Sequence, residues 1–193
     1  KAVKKFVKRS LVVFDMPHKT YTNRFVAYKN AKKALKLTRC DAIKLEGGKK
    51  VINIIKYLVK KGIPVMGHIG LLPQHSTNFK LKGKNLFQRK KILEDAAALS
   101  DAGVFAIVIE CVVESLAKEI TNTVSVPTIG IGASKHCDGQ ILVIDDIIGL
   151  NNFSARFVKK YSNVKICIEK AVKKYCEDVK KRKFPSFQHV YKF

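Results

Sequence analysis

No stretch of this sequence approaches the roughly 20 consecutive apolar residues that a membrane span requires, so no membrane-spanning helix is expected. The basic opening, KAVKKFVKRS, runs within a few residues into LVVFDMP. It has no small-residue cleavage site and too short an apolar run for a signal peptide, and no export signal is read there. There is no C-x-x-C pair among Cys40, Cys111, Cys137, Cys167 and Cys176, and their number is odd. That pattern speaks against a disulfide framework and a closed zinc site, and a reducing, cytoplasmic compartment fits best. His18, His75 and His136 lack metal-ligand spacing and read as loop residues. The glycine-rich GIGASKHCDGQ departs from G-x-G-x-x-G, so a phosphate cradle there is a weak signal. Neither an internal repeat nor a low-complexity linker divides the chain.

Acidic residues are scarce as well: 15 Asp and Glu stand against 38 Lys and Arg, for a net charge of +23. Such a balance ordinarily suggests nucleic acid or an anionic surface. The lysines, however, are scattered through amphipathic segments such as NAKKALKL, INIIKYLVKKG and IEKAVKKYCEDVKKRK, opposite the apolar stripe, where they need only face water. Neither nucleic acid nor membrane is therefore expected as a partner. A nucleic-acid-binding module would instead need a continuous lysine face and would show steeply salt-dependent binding. At 193 residues, 47% of them hydrophobic, the chain can form one domain that buries roughly 70% of its unfolded surface.

Short Val- and Ile-rich runs alternate with longer segments of helical period. The runs are LVVFDM, AIKLEG, VMGHIG, FAIVIEC, TIGIG and ILVIDDII; between them lie NRFVAYKNAKKALKL, VINIIKYLVKKG, FQRKKILEDAAALSDAG and VESLAKEITNTV. Runs without strict alternation belong to strands covered on both faces, as in parallel sheets whose crossovers hold helices. The expectation is an α/β fold of strand–helix units over residues 1–150, with C-terminal helices from FSARFVKKY and VKICIEKAVKKYCEDVKKRKF over 151–193. Six strands are visible, whereas a closed (β/α)8 barrel has eight and occupies about 250 residues. Because AVKKFVKR reads as the tail of a helix feeding a strand, the two absent units are expected ahead of residue 1. An open doubly wound sheet accommodates the same pattern.

In parallel α/β folds the ligand sits beyond the carboxyl ends of the strands. Polar residues stand there repeatedly: Asp15 after LVVF, Lys44 and Glu46 in AIKLEG, His68 in VMGHIG, and Glu110 after FAIVI. Lys44 and Glu46, two apart, share one side of their strand while Leu45 faces away. Each has a plainer reading. Asp15 can cap a helix or turn before Pro17, Lys44 and Glu46 can form a surface ion pair, and His68 can be a satisfied core histidine. Glu110 can be a partner for Lys44 or for a backbone donor, and Cys111 fits buried packing better than nucleophilic chemistry. A carboxylate ending a buried run is also disposed to take up a proton, as a general base does. Asp15 and Glu46 suit a hard divalent cation, and Lys44 suits an anionic substrate. Gly67 and Gly70, flanking His68, suggest close backbone approach.

The ordered set FDMP, AIKLEGG, GIPVMGHIGLLPQ, EDAAALSDAGVFAIVIECV, VPTIGIGA, DGQILV, RFVKKY and FPSFQH covers nearly the whole chain. It resembles the ketopantoate hydroxymethyltransferase family, metal-dependent (β/α)8 barrels of the phosphoenolpyruvate mutase and isocitrate lyase superfamily. The resemblance implies transfer of a one-carbon unit from 5,10-methylenetetrahydrofolate to 3-methyl-2-oxobutanoate, giving 2-dehydropantoate for pantothenate synthesis, in a homo-oligomer. It implies that Asp15 and Glu46 bind magnesium, that Asp15 and Lys44 contact the keto acid, that Glu110 is the proton acceptor, and that His68 hydrogen-bonds near the reacting oxygen.

Several positions depart from the family pattern. A further metal-binding Asp with an adjacent substrate-binding Ser, carried by the family's first two strand units, has no counterpart here. The loop after Gln74 lacks a Gly-Gly-aromatic insertion. Val113 replaces a usual Pro, while His18 and Ser134 replace a usual aromatic and a usual Gly. The competing expectation is a degenerate, non-catalytic remnant, and the isolated chain is expected not to turn over alone.

Overall fold

A computed structural model describes residues 1–76, 80–152 and 155–191. The chain divides into two compact units, Lys1–Ile141 and Leu142–Phe193. The first opens with helix α1 (Ala2–Phe6) and continues through β1 (Val13–Asp15), α2 (Arg24–Thr38), β2 (Ala42–Glu46), α3 (Ile52–Lys60), β3 (Val65–Gly70), α4 (Leu86–Asp101), β4 (Ala106–Glu110), α5 (Glu114–Thr123), β5 (Thr128–Ile131) and β6 (Gly139–Gln140). The six strands form one sheet in sequential order, every pairing parallel. Among the described residues β1 and β6 are its edges.

Local chemistry sets the element boundaries. Helix α2 starts where the Asn23 side chain accepts hydrogen bonds from the Phe25 and Val26 amides, and Asn85 caps α4 in the same way through Gln88. Ala27 and Ala31 on α2, and Ile92, Ala96 and Leu99 on α4, are the buried members of those helices. They join Ile43, Leu45, Ile107 and Ile109 in one hydrophobic core. Gly67 has no side chain because a Cβ there would stand 2.7 Å from Leu99 Cδ1.

The parallel register then sorts the polar residues. Asp15 lies beside Lys44, Lys44 beside Met66, Glu46 beside His68, His68 beside Val108, and Gly70 beside Glu110. Laterally paired residues share a face, so Asp15, Lys44, Glu46, His68 and Glu110 all emerge on one face, near the carboxyl ends. Ile43, Leu45, Ile107 and Ile109, each 0% exposed, occupy the other face.

The run ILVIDDII was expected to be the last strand, and the structure corrects this. The paired residues are Gly139 and Gln140, just upstream, and Ile144–Ile147 form a short helix, α6. Asp145 and Asp146 sit in its first turn, where the exposed amides favour negative charge. Asp138, read as a turn residue, does more than turn the chain. Its Oδ2 accepts hydrogen bonds from Thr128 N at 2.7 Å and Thr128 Oγ1 at 2.9 Å. These bonds, the backbone one foremost, hold the Asp138 carboxyl below the usual carboxylate range. Thr128 is 0% exposed. Asp138→Ala would leave the buried Thr128 amide without its acceptor, while the hydroxyl keeps Thr121 Oγ1 at 2.9 Å, and we expect a loss of about 1–3 kcal/mol in urea-unfolding stability.

In the second unit α6 is followed by helix α7 (Val164–Lys180). A helix was also expected over FSARFVKKY. Phe153 and Ser154 lie outside the described residues, and 155–161 hold a turn instead. A nine-residue segment is too short to hold helical structure by itself, and its neighbourhood is bound otherwise: Tyr161 N donates to Ile147 O and Val164 N to Ile148 O. Among the described residues no helix is long and apolar enough to cross a membrane.

Candidate active site

The five strand-end residues singled out in the sequence form a connected cluster. Lys44 Nζ lies 2.9 Å from Asp15 Oδ2 and 3.2 Å from His68 Nδ1. His68 Nδ1 is also 3.8 Å from Glu46 Oε1, and His68 Nε2 is 3.2 Å from Glu110 Oε2. Burial is graded across the cluster: Glu46 and His68 side chains are 2% exposed, Glu110 15%, Lys44 16% and Asp15 49%. The site therefore opens to solvent on its Asp15 side and is closed around the imidazole.

Contact chemistry fixes the state of the ring. An ammonium group has donors and no acceptor, so Lys44 donates to His68 Nδ1 and the ring proton resides on Nε2. That nitrogen is within ion-pair distance of Glu110, yet off hydrogen-bonding line, and it has no hydrogen-bond partner among the described residues. A buried donor without a partner is uncommon. Together with Lys44, it directs two donors into a pocket whose other members are carboxylates.

Burial dominates the electrostatics of three groups here. Burial pushes the Glu46 carboxyl up, while His68, Lys44 and the Gln74 amide pull it down and Asp15 adds repulsion. Burial likewise pushes the nearby Tyr21 phenol up. Cys111 is half-buried, and burial followed by the adjacent Glu110 charge pushes its thiol up, which suits packing rather than nucleophilic attack.

Three of the plainer readings do not describe the geometry. Asp15 ends β1 and pairs with Lys44 rather than capping a helix. Glu46 is buried, not part of a surface pair. Glu110 faces His68 rather than Lys44.

Gln74, which the sequence offers only within a motif and as the start of a loop, is also part of this site. Its backbone N–H donates to Glu46 Oε2 at 3.1 Å, and its side-chain amide reaches Met16 O at 3.1 Å and Asp15 Oδ1 at 3.4 Å. It sits in the turn Pro73–His75 after β3. Tyr21 Oη, 3.3 Å from His75 Nε2, ties that turn to the β1–α2 loop, and the His18 ring stands edge-on to His75 at 4.5 Å. The sequence signal available for Gln74 was its place one loop beyond a strand end, which is where α/β sites recruit residues.

A family model described as Ketopantoate hydroxymethyltransferase matches residues 1–187. A curated relative named 3-methyl-2-oxobutanoate hydroxymethyltransferase, from Pelagibacter ubique, is 63% identical over 191 residues, covering 99% of this chain and 74% of its own length. Proteins of the same name from Phenylobacterium zucineum and Pyrobaculum neutrophilum are 50% and 52% identical; the alignments cover 98% and 97% of this chain and 70% and 73% of theirs.

Proposed function

The chain belongs to the ketopantoate hydroxymethyltransferase family, and from that premise we propose that it transfers a hydroxymethyl group from 5,10-methylenetetrahydrofolate to 3-methyl-2-oxobutanoate, giving 2-dehydropantoate for pantothenate synthesis. The observation that carries the assignment to these residues is the Lys44–His68–Glu110 chain of contacts at the strand ends. It supports a working catalyst over a degenerate remnant, because drift would not preserve a buried imidazole between a cation and a carboxylate.

Glu110 is the base. It removes the proton on the carbon alpha to the ketone; the enolate so formed attacks the folate-borne carbon, and water supplies the hydroxyl as the carbon–nitrogen bonds to that carbon break and tetrahydrofolate leaves. Lys44 offsets the negative charge of the keto acid, a role suited to a partly buried ammonium that already faces one carboxylate. His68, with its proton on Nε2, offers a neutral hydrogen bond where oxygen gains charge as the enolate forms.

Asp15 and Glu46 are the carboxylates that would hold magnesium. Among the described residues no group of three His, Cys, Asp and Glu is arranged around one metal position. The fit is to a cation held through one or two carboxylates, with substrate oxygens and water completing its shell, which is how magnesium is ordinarily bound. When bound, the ion supplies Lewis-acid stabilisation of the enolate.

The six-stranded parallel sheet is the arc that a (β/α)8 barrel would use for its last six strands, with the polar cluster at the mouth. A cytoplasmic setting, in which all five cysteines remain thiols, belongs to the same reading. So does a homo-oligomer, supported by Ile168, Val172, Tyr175 and Val179, which are 43–56% exposed along one stripe of α7.

The direct test is incubation of the purified protein with keto acid, 5,10-methylenetetrahydrofolate and Mg2+. Formation of 2-dehydropantoate is expected, against the expectation from the absent strand units that the chain is inactive alone, because all five strand-end residues are assembled in one cluster; its absence would refute the assignment. Lys44→Met is expected to raise KM for the keto acid roughly 10- to 100-fold, reflecting the about 1.5–3 kcal/mol of a hydrogen bond to a charged group; steady-state kinetics at saturating folate reads this out.

A further inference from the structure

Two buried polar side-chain atoms lack a hydrogen-bond partner among the described residues: His68 Nε2, which has a role above, and Gln74 Oε1, which does not. The orientation of the Gln74 amide is fixed by its neighbours. Nε2 lies within reach of Asp15 Oδ1 and Met16 O, and both of these only accept. Exchanging the amide ends would set its oxygen against two other oxygens. Oε1 is therefore a buried acceptor awaiting a donor, and the adjoining groups, the Asp15 and Glu46 carboxylates and the Met16 carbonyl, have no proton to give.

Gln74 also touches both carboxylates assigned to the cation, one through its backbone and one through its side chain. A water molecule held by a divalent cation directs its protons away from the ion, toward an acceptor of this kind. We propose that Gln74 is a positioning residue of the magnesium site: it orients Asp15 and Glu46 and accepts a hydrogen bond from a water molecule bound to the ion. This rests on the reading of Asp15 and Glu46 as the magnesium carboxylates. Pro73 at the start of the turn, and the Tyr21 contact to His75, hold Gln74 in place for that role.

Calorimetric titration with Mg2+ alone, without substrate, tests it. Gln74→Met keeps the length of the side chain and removes its polarity. Gln74→Asn keeps the amide but shortens its reach, so that a variant failing to fold does not leave the question open. Both are expected to weaken Mg2+ binding roughly tenfold, the usual cost of losing a group that orients a metal ligand. In turnover the defect should appear as a raised Mg2+ requirement and a raised KM for the keto acid. Asp15→Asn serves as the control. Parent-like Mg2+ affinity in both Gln74 variants, with affinity lost in Asp15→Asn, overturns the role of Gln74 alone. Affinity unchanged in Asp15→Asn as well overturns the carboxylate reading and this inference with it. A fall in kcat at unaltered Mg2+ affinity overturns the positioning role in favour of one in the chemistry.

Discussion

Glu110→Gln is expected to lower kcat by roughly 10²- to 10⁴-fold, the range lost when a positioned general base is removed, while the keto acid still binds. The substitution is nearly isosteric, and the glutamine carbonyl oxygen can still face His68 Nε2 across the 3.2 Å now spanned by the carboxylate. What disappears is the capacity to take a proton. Two measurements separate these effects. Calorimetry should find keto-acid affinity close to that of the parent. Proton NMR in D2O, with no folate present, should find that the parent exchanges the hydrogen alpha to the ketone and that the variant does not. Parent-like exchange in Glu110→Gln would place the base elsewhere, whatever became of overall turnover.

Gly70→Ala is expected to be nearly as damaging, through the backbone rather than through any functional group. Gly70 closes β3 with φ +92°, a conformation L side chains rarely adopt, and a Cβ there would overlap the Glu110 carbonyl oxygen and crowd Val112 Cγ2. Left-handed backbone costs about 1–2 kcal/mol and overpacking about 1–3 kcal/mol, so roughly 2–5 kcal/mol of stability should be lost. Relief of the overlap requires the end of β4 to move, and Glu110 moves with it. Urea unfolding should therefore show the loss, and turnover should fall even at temperatures where the variant stays folded. If the variant unfolds at the parent's urea midpoint with unchanged kcat, the close approach has no functional weight.

These two sites differ in how far the sequence alone could reach them. Glu110, Asp15, Lys44, Glu46 and His68 were legible because parallel strands are buried on both faces, so a charged or imidazole side chain at the end of such a run stands out. Spacing of two between Lys44 and Glu46 even gave the face, and register pairing of Glu46 with His68 completed it. Gly70 was legible as a close approach, but its neighbour, the Glu110 backbone, was not, since that contact joins residues forty positions apart. Gln74 illustrates a harder limit. Its partners Met16 and Asp15 are 58 and 59 residues away, and no periodicity marks a loop residue whose importance arises only when two loops meet.

The misread elements share a cause. ILVIDDII has the composition of a strand, but the Asp138–Thr128 hydrogen bonds just upstream commit Gly139 and Gln140 to β5; Ile141 N still donates to Gly130 O, and Ile144, Ile147 and Ile148 lie beyond the ladder. The FSARFVKKY segment has helical spacing, but its last residue, Tyr161, and Val164 beyond it are bound to the end of α6. Local pattern describes what a segment prefers, and non-local hydrogen bonds decided both cases.

The lateral register that brings Asp15 beside Lys44 and Glu46 beside His68 also sets limits on how this sequence can diverge. One residue inserted between Ala42 and Lys44 would slip the strand by half its side-chain period, driving Lys44 and Glu46 into the packed helices and Leu45 into the pocket. One event would thus erase the Lys44 cation, a carboxylate proposed for magnesium and a core residue together. Point substitutions can be tried singly at these positions, whereas changes in length within β2, β3 or β4 cannot, so length variation should be confined to the connections between strands and helices.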